Sequence, residues 1–503
     1  MSDTRKKDAF FAKLEQQALM VTFGDVTVKS GYADFAPEEI DLSSNFSRNI
    51  RLKIPITSAA MDTVTGPAMA IELAKWGGLG VIPRSLTPEK QAEQVAKVKY
   101  HLGALNRNPR TVLTTDTIAE IQKRREEKGY KFHSFPVVDG DDRLVGIITR
   151  STFKFCADES KTAGELMKRT VIHAPEGTST EEAVKLMRRH EIGILPLVDN
   201  DLHQTGIYVF TEIIRGQKGQ NAMMNVDANG RLRVGAAVGL LEDAQARVPL
   251  LHENGVDVII IDMAHAETKL VGETLVWIKR ELPELDVVVG NVTEGESAKR
   301  LVDWGSDGNR VGMGGGSICI TREIAGIGCP QVSAVHQCEH AIRGSGVPTC
   351  SDGAISKTGH ITIALGAGAD TVMLGNMFAG TDEAPGEVVY YQGKRVKIYR
   401  GMGSLPAMLE SASSRERYMQ QSGVHLVPEG VVGVVPYKGP VADVIADCIG
   451  GLKKGMFDVG ACSIAELHEK ADFNRQTASG YAEGRPHDVT VTEASPNFRS
   501  EEQ

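Results

Sequence analysis

Asp286-Val-Val-Val-Gly-Asn-Val-Thr-Glu-Gly-Glu-Ser-Ala-Lys-Arg-Leu-Val-Asp-Trp-Gly305-Ser-Asp-Gly-Asn-Arg-Val-Gly-Met-Gly314 is the stretch on which the fold turns. Asp286–Asn291 is a short apolar run ending on a Gly and a polar residue, the pattern of a strand buried in a parallel sheet. Glu294–Trp304 then has helical spacing, and Gly305 stands where a C-terminal cap belongs. Asn309–Gly314 is a second buried strand. The same alternation extends outward through Ile54–Met61, Gly77–Pro83, Arg231–Val238, Val256–Asp262, Val347–Asp352 and Thr371–Gly375. Ala244–Asn254 is another such helix, followed by Gly255. Eight strand–helix units predict an α/β fold, the (β/α)8 TIM barrel. A doubly wound open sheet would need a Gly-rich turn after the first strand, and Ser58-Ala-Ala-Met61 is not one.

The chain has 503 residues, 41% of them hydrophobic, too many for one ordinary core, so two or more domains are expected. The formal net charge of −9 argues against a nucleic-acid binder. It leaves a nucleotide site open, because backbone N–H groups can hold a phosphate. Seven Cys, an odd number with no CxxC pair, fit neither a disulfide framework nor a zinc site. Reduced thiols in the cytoplasm fit them. Met1-Ser-Asp-Thr-Arg-Lys-Lys7 leads into no apolar signal region. No apolar run reaches the ~18 residues of a membrane helix, so no membrane partner is expected. The 53 Gly gather at strand ends, where backbone-built binding loops are expected.

One gap breaks the alternation. Between the second and third strands, Phe135-Pro-Val-Val-Asp139 recurs as Leu195-Pro-Leu-Val-Asp199. In both copies a Gly, Gly146 or Gly206, follows ten residues after the Pro, and an amphipathic helix pattern such as Thr180–His190 precedes. The duplication predicts an αβ pair inserted in a barrel loop. The expected division is a first barrel part at 1–106, the insertion at 107–218, a second barrel part at 219–480 and a tail at 481–503. Within the second part, about 399–436 is long and rich in Gly, Ser and charge, and reads as a mobile flap.

The segment richest in chemistry is Asn309-Arg-Val-Gly-Met-Gly-Gly-Gly-Ser-Ile-Cys-Ile-Thr-Arg322. A strand enters a Gly-rich loop that lets backbone approach a ligand and offers N–H groups to an anion. Cys319 then lies at the C-terminal mouth of a barrel strand, where catalysis is expected, in a field that favours its thiolate. Read alone, a Cys beside glycines is equally a small buried hydrophobe.

Gly314-Gly-Gly-Ser-Ile-Cys-Ile-Thr-Arg322 resembles the active-site loop of the inosine-5′-monophosphate dehydrogenase family. The resemblance extends to Ser58-Ala-Ala-Met-Asp-Thr-Val-Thr65, Gly290-Asn-Val292, Ser351-Asp-Gly353, Tyr399-Arg-Gly-Met-Gly403 and Ser414-Arg-Glu-Arg-Tyr418, in the family's order, over about residues 20–490. It implies oxidation of inosine monophosphate (IMP) to xanthosine monophosphate (XMP) with NAD⁺. The Cys attacks C2 of the purine, NAD⁺ takes the hydride, and water hydrolyses the thioimidate left on sulfur. Cys319 is the matching nucleophile. Ser317, Gly353, Gly375 and Tyr399 match phosphate ligands, and Asp352 the ribose ligand. Met61, Met402 and Gly403 would lie against the base, with Glu429 at its polar edge. Asp262 matches the nicotinamide ribose ligand and Asn291 the carboxamide ligand, beside Gly312 and Gly314. Arg417 and Tyr418 match the dyad that activates water, and Thr321 with Glu429 offers a second proton route. Without the resemblance, these Gly read as tight packing, the Met as core filler and Arg417 as a solvated charge on a surface helix.

The resemblance also implies K⁺ on carbonyls of Gly314, Gly316 and Cys319, completed by Glu483 and Gly484 of a neighbour, and hence a homo-oligomer, a tetramer. The insertion resembles a tandem CBS pair. Its nucleotide-binding versions end in Thr-x-x-Asp. Here the first copy reads Thr149-Arg-Ser-Thr152 and the second reaches Glu212 by way of Val209, so weak or absent adenine-nucleotide binding is expected. Other departures are Ala354 where a Gly is common, Asn376 where Ser is common, and Met263-Ala-His-Ala-Glu-Thr268 after Asp262. Two rivals remain at this stage. One is a guanosine monophosphate (GMP) reductase, which usually lacks both the insertion and the Arg-Tyr flap. The other is an inactive nucleotide-sensing scaffold.

Overall fold

The computed structural model describes residues 5–102, 105–106, 109–127, 134–211, 213, 223–420 and 425–492. Eight parallel strands close into a barrel. They are β1 (Ile56–Ser58), β2 (Leu79–Ile82), β3 (Val234–Val238), β4 (Val258–Asp262), β5 (Asp286–Val292), β6 (Gly308–Val311), β7 (Thr349–Asp352) and β8 (Thr371–Leu374). Each overlaps the run expected of it, and β8 returns to β1 through Met373↔Thr57. A closed ring has no switch point, which removes the open-sheet alternative.

The helices form for the reasons read from sequence. Gly295–Asp303 ends at Gly305, whose φ is +103°. Ser306 N–H donates to Leu301 and Gly305 N–H to Val302, which satisfies carbonyls the helix leaves open. Leu241–Glu253 ends the same way at Gly255, with Val256 donating to Leu251. Alternate strand residues fill the barrel: Leu79, Val81, Ala237, Val258, Ile260, Val288, Cys350 and Met373 pack with Phe46, Ile50 and Leu52 from a short hairpin. This filled interior leaves chemistry to the loops at the strands' C-terminal ends.

The chain separates into two compact units, Met1–Lys99 with Met223–Gln503, and Tyr100–Ala222. The second is built twice. Phe135–Val138 pairs with Leu144–Ile148, and Ile194–Val198 with Gln204–Val209. Pro136↔Ile147 and Pro196↔Ile207 are equivalent, and both ladders shift register one step later. Asp139 accepts two backbone N–H groups across its turn, from Asp141 and Arg143. Asp199 does the same for Asp201 and His203. The two Asp of the repeat are therefore turn-formers. Each copy has its own core, one around Ile118, Phe135 and Val137, the other around Val184, Leu195 and Leu197. Glu212, the ends of the insertion at 107 and 218, and the tail beyond 492 lie outside the described residues. No helix among the described residues is long and apolar enough to cross a membrane.

Candidate active site

The Gly-rich loop leaves β6 at Val311. Gly312 has φ +142°, and a Cβ there would collide with the Asp352 carbonyl, so the turn needs glycine twice over. The loop is held down from the far side by residues 429–431. Ile320 N–H donates to the Glu429 carbonyl at 2.9 Å, and Val431 N–H to the Ile318 carbonyl at 3.0 Å. This short antiparallel bridge presents Cys319 to a cavity at the barrel mouth.

Cys319 is half-buried, whereas Cys329, Cys338, Cys350 and Cys448 are buried. Burial pushes the Cys350 and Cys448 thiols up to about 12, which makes them inert. Of the three accessible thiols, Cys156, Cys319 and Cys462, only Cys319 lines the cavity. Its Sγ lies 3.2 Å from Thr321 Oγ1, and that hydroxyl donates to Glu429 Oε2 at 2.8 Å. The three groups form a chain along which a proton can pass from sulfur to carboxylate.

The cavity floor holds a residue that the sequence did not single out. Arg310, 1% exposed on β6, contacts the Asp262 carboxylate. It also donates to Asn291 Oδ1 at 2.7 Å and reaches Asp352 at 3.3 Å. Asn291 Nδ2 donates to the Gly312 carbonyl at 2.7 Å and to Asp352 at 2.9 Å. Arg310 thus bridges two carboxylates and fixes the amide between them, which is how such a cluster is tolerated in a low-dielectric site. Asp262 and Asp352 each point a carboxylate at the cavity, the chemistry that takes sugar hydroxyls.

Most sequence-predicted residues meet here. Met61, Asp262, Asn291, Gly312, Gly314, Gly316, Ser317, Cys319, Thr321, Asp352, Gly353, Ala354, Gly375, Asn376, Tyr399, Met402, Arg417, Tyr418 and Glu429 all line the cavity. Gly403 does not. It lies behind Tyr418, where a Cβ would come within 2.6 Å of the ring, so it makes room for the flap. Glu483 and Gly484 are also outside the lining. They end the helix Ala478–Glu483, which Thr477 caps. Ala354 has φ +61°, a left-handed conformation that glycine adopts more easily than alanine. Tyr399 is buried with its hydroxyl beside Gly375, and burial raises its pKa above the ordinary tyrosine value.

The flap is seated. Lys394–Arg400 pairs with Val432–Pro436, and the helix Ala412–Arg417 carries the dyad. Arg417 contacts the Asp262 carboxylate, and its carbonyl accepts Ala264 N–H at 3.0 Å. Burial, with Arg84 nearby, lowers the Arg417 pKa from the ordinary arginine value, while Tyr418 opposes. The Asp262 contact also favours the charged form. Burial raises the Tyr418 pKa. Residues 421–424 of the flap lie outside the described residues.

Residues 20–487 match the model of the IMP dehydrogenase / GMP reductase domain. Inosine-5′-monophosphate dehydrogenase of Aquifex aeolicus (strain VF5) is 46% identical over 481 residues, covering 95% of this chain and 97% of that protein. The enzyme of the same name from Bacillus subtilis (strain 168) is 40% identical over 481 residues, with the same coverage. Among solved structures, a Cys-to-Ala variant of GMP reductase from Trypanosoma brucei in complex with guanosine 5′-monophosphate is 36% identical. It superposes with a TM-score of 0.83, covering 95% of this chain and 100% of that one. A GMP reductase of this extent leaves no room for a missing insertion, so the insertion does not separate the two activities as the sequence reading expects. A matching domain model over most of the chain and relatives of 46% and 40% identity give one conclusion: this chain belongs to the IMP dehydrogenase / GMP reductase family.

Proposed function

We propose that the chain is an NAD-dependent IMP dehydrogenase, oxidising IMP to XMP. The observation that carries this reading is the opposition in one cavity of the Cys319–Thr321–Glu429 chain and the paired carboxylates Asp262 and Asp352. Cys319 loses its proton through Thr321 to Glu429, and sulfur bonds to C2 of the purine. NAD⁺, when bound, accepts the hydride that C2 releases. Water then adds to the thioimidate carbon, the S–C bond breaks, and Cys319 regains a proton. Overall, IMP, NAD⁺ and water give XMP, NADH and a proton.

Asp352 takes the IMP ribose, and Ser317, Gly353, Ala354, Gly375, Asn376 and Tyr399 surround its phosphate. Met61 and Met402 confine the base from their side. The cofactor half fits what Asp262, Asn291, Gly312 and Gly314 offer: a carboxylate for ribose hydroxyls beside an amide already oriented by Arg310. Arg417 and Tyr418 orient and deprotonate the hydrolytic water. For K⁺, backbone carbonyls suit a hard cation. The Gly316 carbonyl, which accepts Cys319 N–H at 3.1 Å, keeps a second lone pair for it. Gly314, Gly316 and Cys319 would hold the ion, with Glu483 and Gly484 of a neighbouring copy in a tetramer. The insertion is a CBS pair, and Thr152, in place of an Asp, predicts weak adenine-nucleotide binding.

GMP reductase is the second reading, favoured by the likeness to the Trypanosoma brucei structure. Arg417 and Tyr418 in the cavity argue against it, because reduction of GMP needs no hydrolytic base. Incubation with IMP and NAD⁺, then with GMP and NADPH, decides. NADH formation with XMP is expected from the first pair. Oxidation of NADPH with GMP, and no NADH from IMP, would overturn the proposal.

A further inference from the structure

Arg84 follows β2 and is 4% exposed, yet it takes no part in lining the cavity. Its guanidinium is in contact with the carboxylate of Glu416, the residue before Arg417 in the flap helix. It also donates to the Asp262 carbonyl at 3.2 Å and lies 3.9 Å from Asp243. Glu416 uses its other oxygen to accept Leu240 N–H at 3.3 Å. The flap helix is thus fastened to three strand ends in a row: β2 through Arg84, β3 through Leu240, and β4 through Asp262 and Ala264.

The slot for this pair is prepared by an absent side chain. Gly239 follows β3, and a Cβ there would collide with both the Glu416 carboxylate and the Arg84 guanidinium. Gly239 is not among the residues of positive φ, so its conformation is open to any residue and space alone requires glycine.

We propose that Arg84 is a positioning residue which, through Glu416 in the space above Gly239, sets how much of the protein holds Arg417 in the cavity. The inference rests on the reading above, in which Arg417 serves hydrolysis and Asp262 serves the cofactor. Arg417 occupies Asp262, so the seated flap and the cofactor ribose compete for one carboxylate. A contact made only by the seated flap shifts that competition by its own free energy. Removing it loosens the flap, which weakens hydrolysis and at the same time relieves the cofactor of its competitor. A purely structural ion pair would not weaken hydrolysis while strengthening the binding of the cofactor.

The test uses the full chain carrying Glu416→Gln, Arg84→Met or both. Glu416→Gln keeps shape and folds most readily. Expected for each single variant is an intact first-turnover burst of NADH, a steady-state kcat lower by roughly tenfold, and a KM for NAD⁺ lower by a similar factor. The double variant should match the singles, because both act through one contact. Arg84→Lys should recover part of kcat. A KM for NAD⁺ that stays put or rises, a burst that slows in step with kcat, or a double variant worse by the product of the singles would overturn the proposal. Amide exchange over 412–418 in the unliganded protein provides a readout independent of the reaction. It should rise in both single variants, and unchanged exchange overturns the inference even if the enzyme is active. If IMP and NAD⁺ give no burst in the parent chain while exchange still rises, the functional reading fails and the latch stands.

Discussion

The Arg417 guanidinium sits directly on the Asp262 carboxylate. One residue belongs to the flap and the other to the floor of the barrel mouth, so the contact holds the flap helix's end over the cavity. A carboxylate engaged in this way cannot also receive a sugar, so under the proposed function hydride transfer and hydrolysis use Asp262 in turn. Arg417→Ala should keep the NADH burst of the first turnover and slow later turnovers on the order of a hundredfold, the range of a lost general base. Its KM for NAD⁺ should fall, because the competitor is gone. Stopped-flow absorbance at the NADH band reads all three quantities. A missing burst would mean that Arg417 acts before hydride transfer.

Thr321 stands between sulfur and carboxylate, 3.2 Å from one and 2.8 Å from the other. A hydroxyl that donates to Glu429 leaves its lone pairs to accept from the thiol. Thr321→Ala breaks the relay and should slow alkylation of Cys319 by iodoacetamide about tenfold or more at neutral pH. Thr321→Ser keeps the hydroxyl and should stay within a few-fold of the parent. Cys319→Ala should abolish NADH formation while retaining IMP binding. Equal alkylation rates in the Ala and Ser variants would remove Thr321 from the proton path.

The barrel and its reactive loop were legible for one physical reason. Strands buried on both faces are continuous apolar runs, and their Gly-rich ends are local signals. Asp286–Asn291 and Glu294–Trp304 needed no knowledge of distant residues. Arg310 was illegible because its role depends on side chains from three other strands: Asp262, Asn291 and Asp352. In sequence it is one charge inside Asn309-Arg-Val311. Arg84 and Gly239 were hidden likewise, since a collision avoided across the barrel rim leaves no mark on spacing. Gly403 was read as touching the base, but it accommodates Tyr418. A glycine in a motif reports that space is needed, without saying for what.

Ala354 carries a left-handed φ of +61° beside the Cys loop, where a Cβ added at Gly315 would come within 3.2 Å of its own methyl. L-residues pay roughly 1 kcal/mol in that conformation, and a β-branched side chain pays more. Ala354→Gly should therefore change stability by less than about 1 kcal/mol, strain relief being offset by a freer unfolded chain. Its KM for IMP should stay within about twofold. Ala354→Val should lower Tm and raise the KM for IMP roughly tenfold, by pushing the loop against Gly315. A tolerated Val would show that this turn adapts and that the departure from Gly is inconsequential.

His468 is buried with Nε2 2.9 Å from the Ala369 carbonyl. Burial, reinforced by Lys7 and Arg5 against Glu339 and the Ala369 bond, lowers its pKa from 6.5 to about 4. The folded protein then binds fewer protons at this ring than the unfolded chain does between those two values. Stability is complete above about pH 6.5 and is lost as pH falls towards 4, by on the order of 3 kcal/mol from this group. His468→Gln keeps an amide donor for Ala369 and removes the titration. Its urea stability should fall less than the parent's between pH 7 and 4.5, by about 2–3 kcal/mol, even if it is the less stable protein at pH 7. Parallel pH curves for parent and variant would show that His468 is protonated as readily in the folded chain as in the unfolded one, and that the barrel's acid sensitivity lies elsewhere.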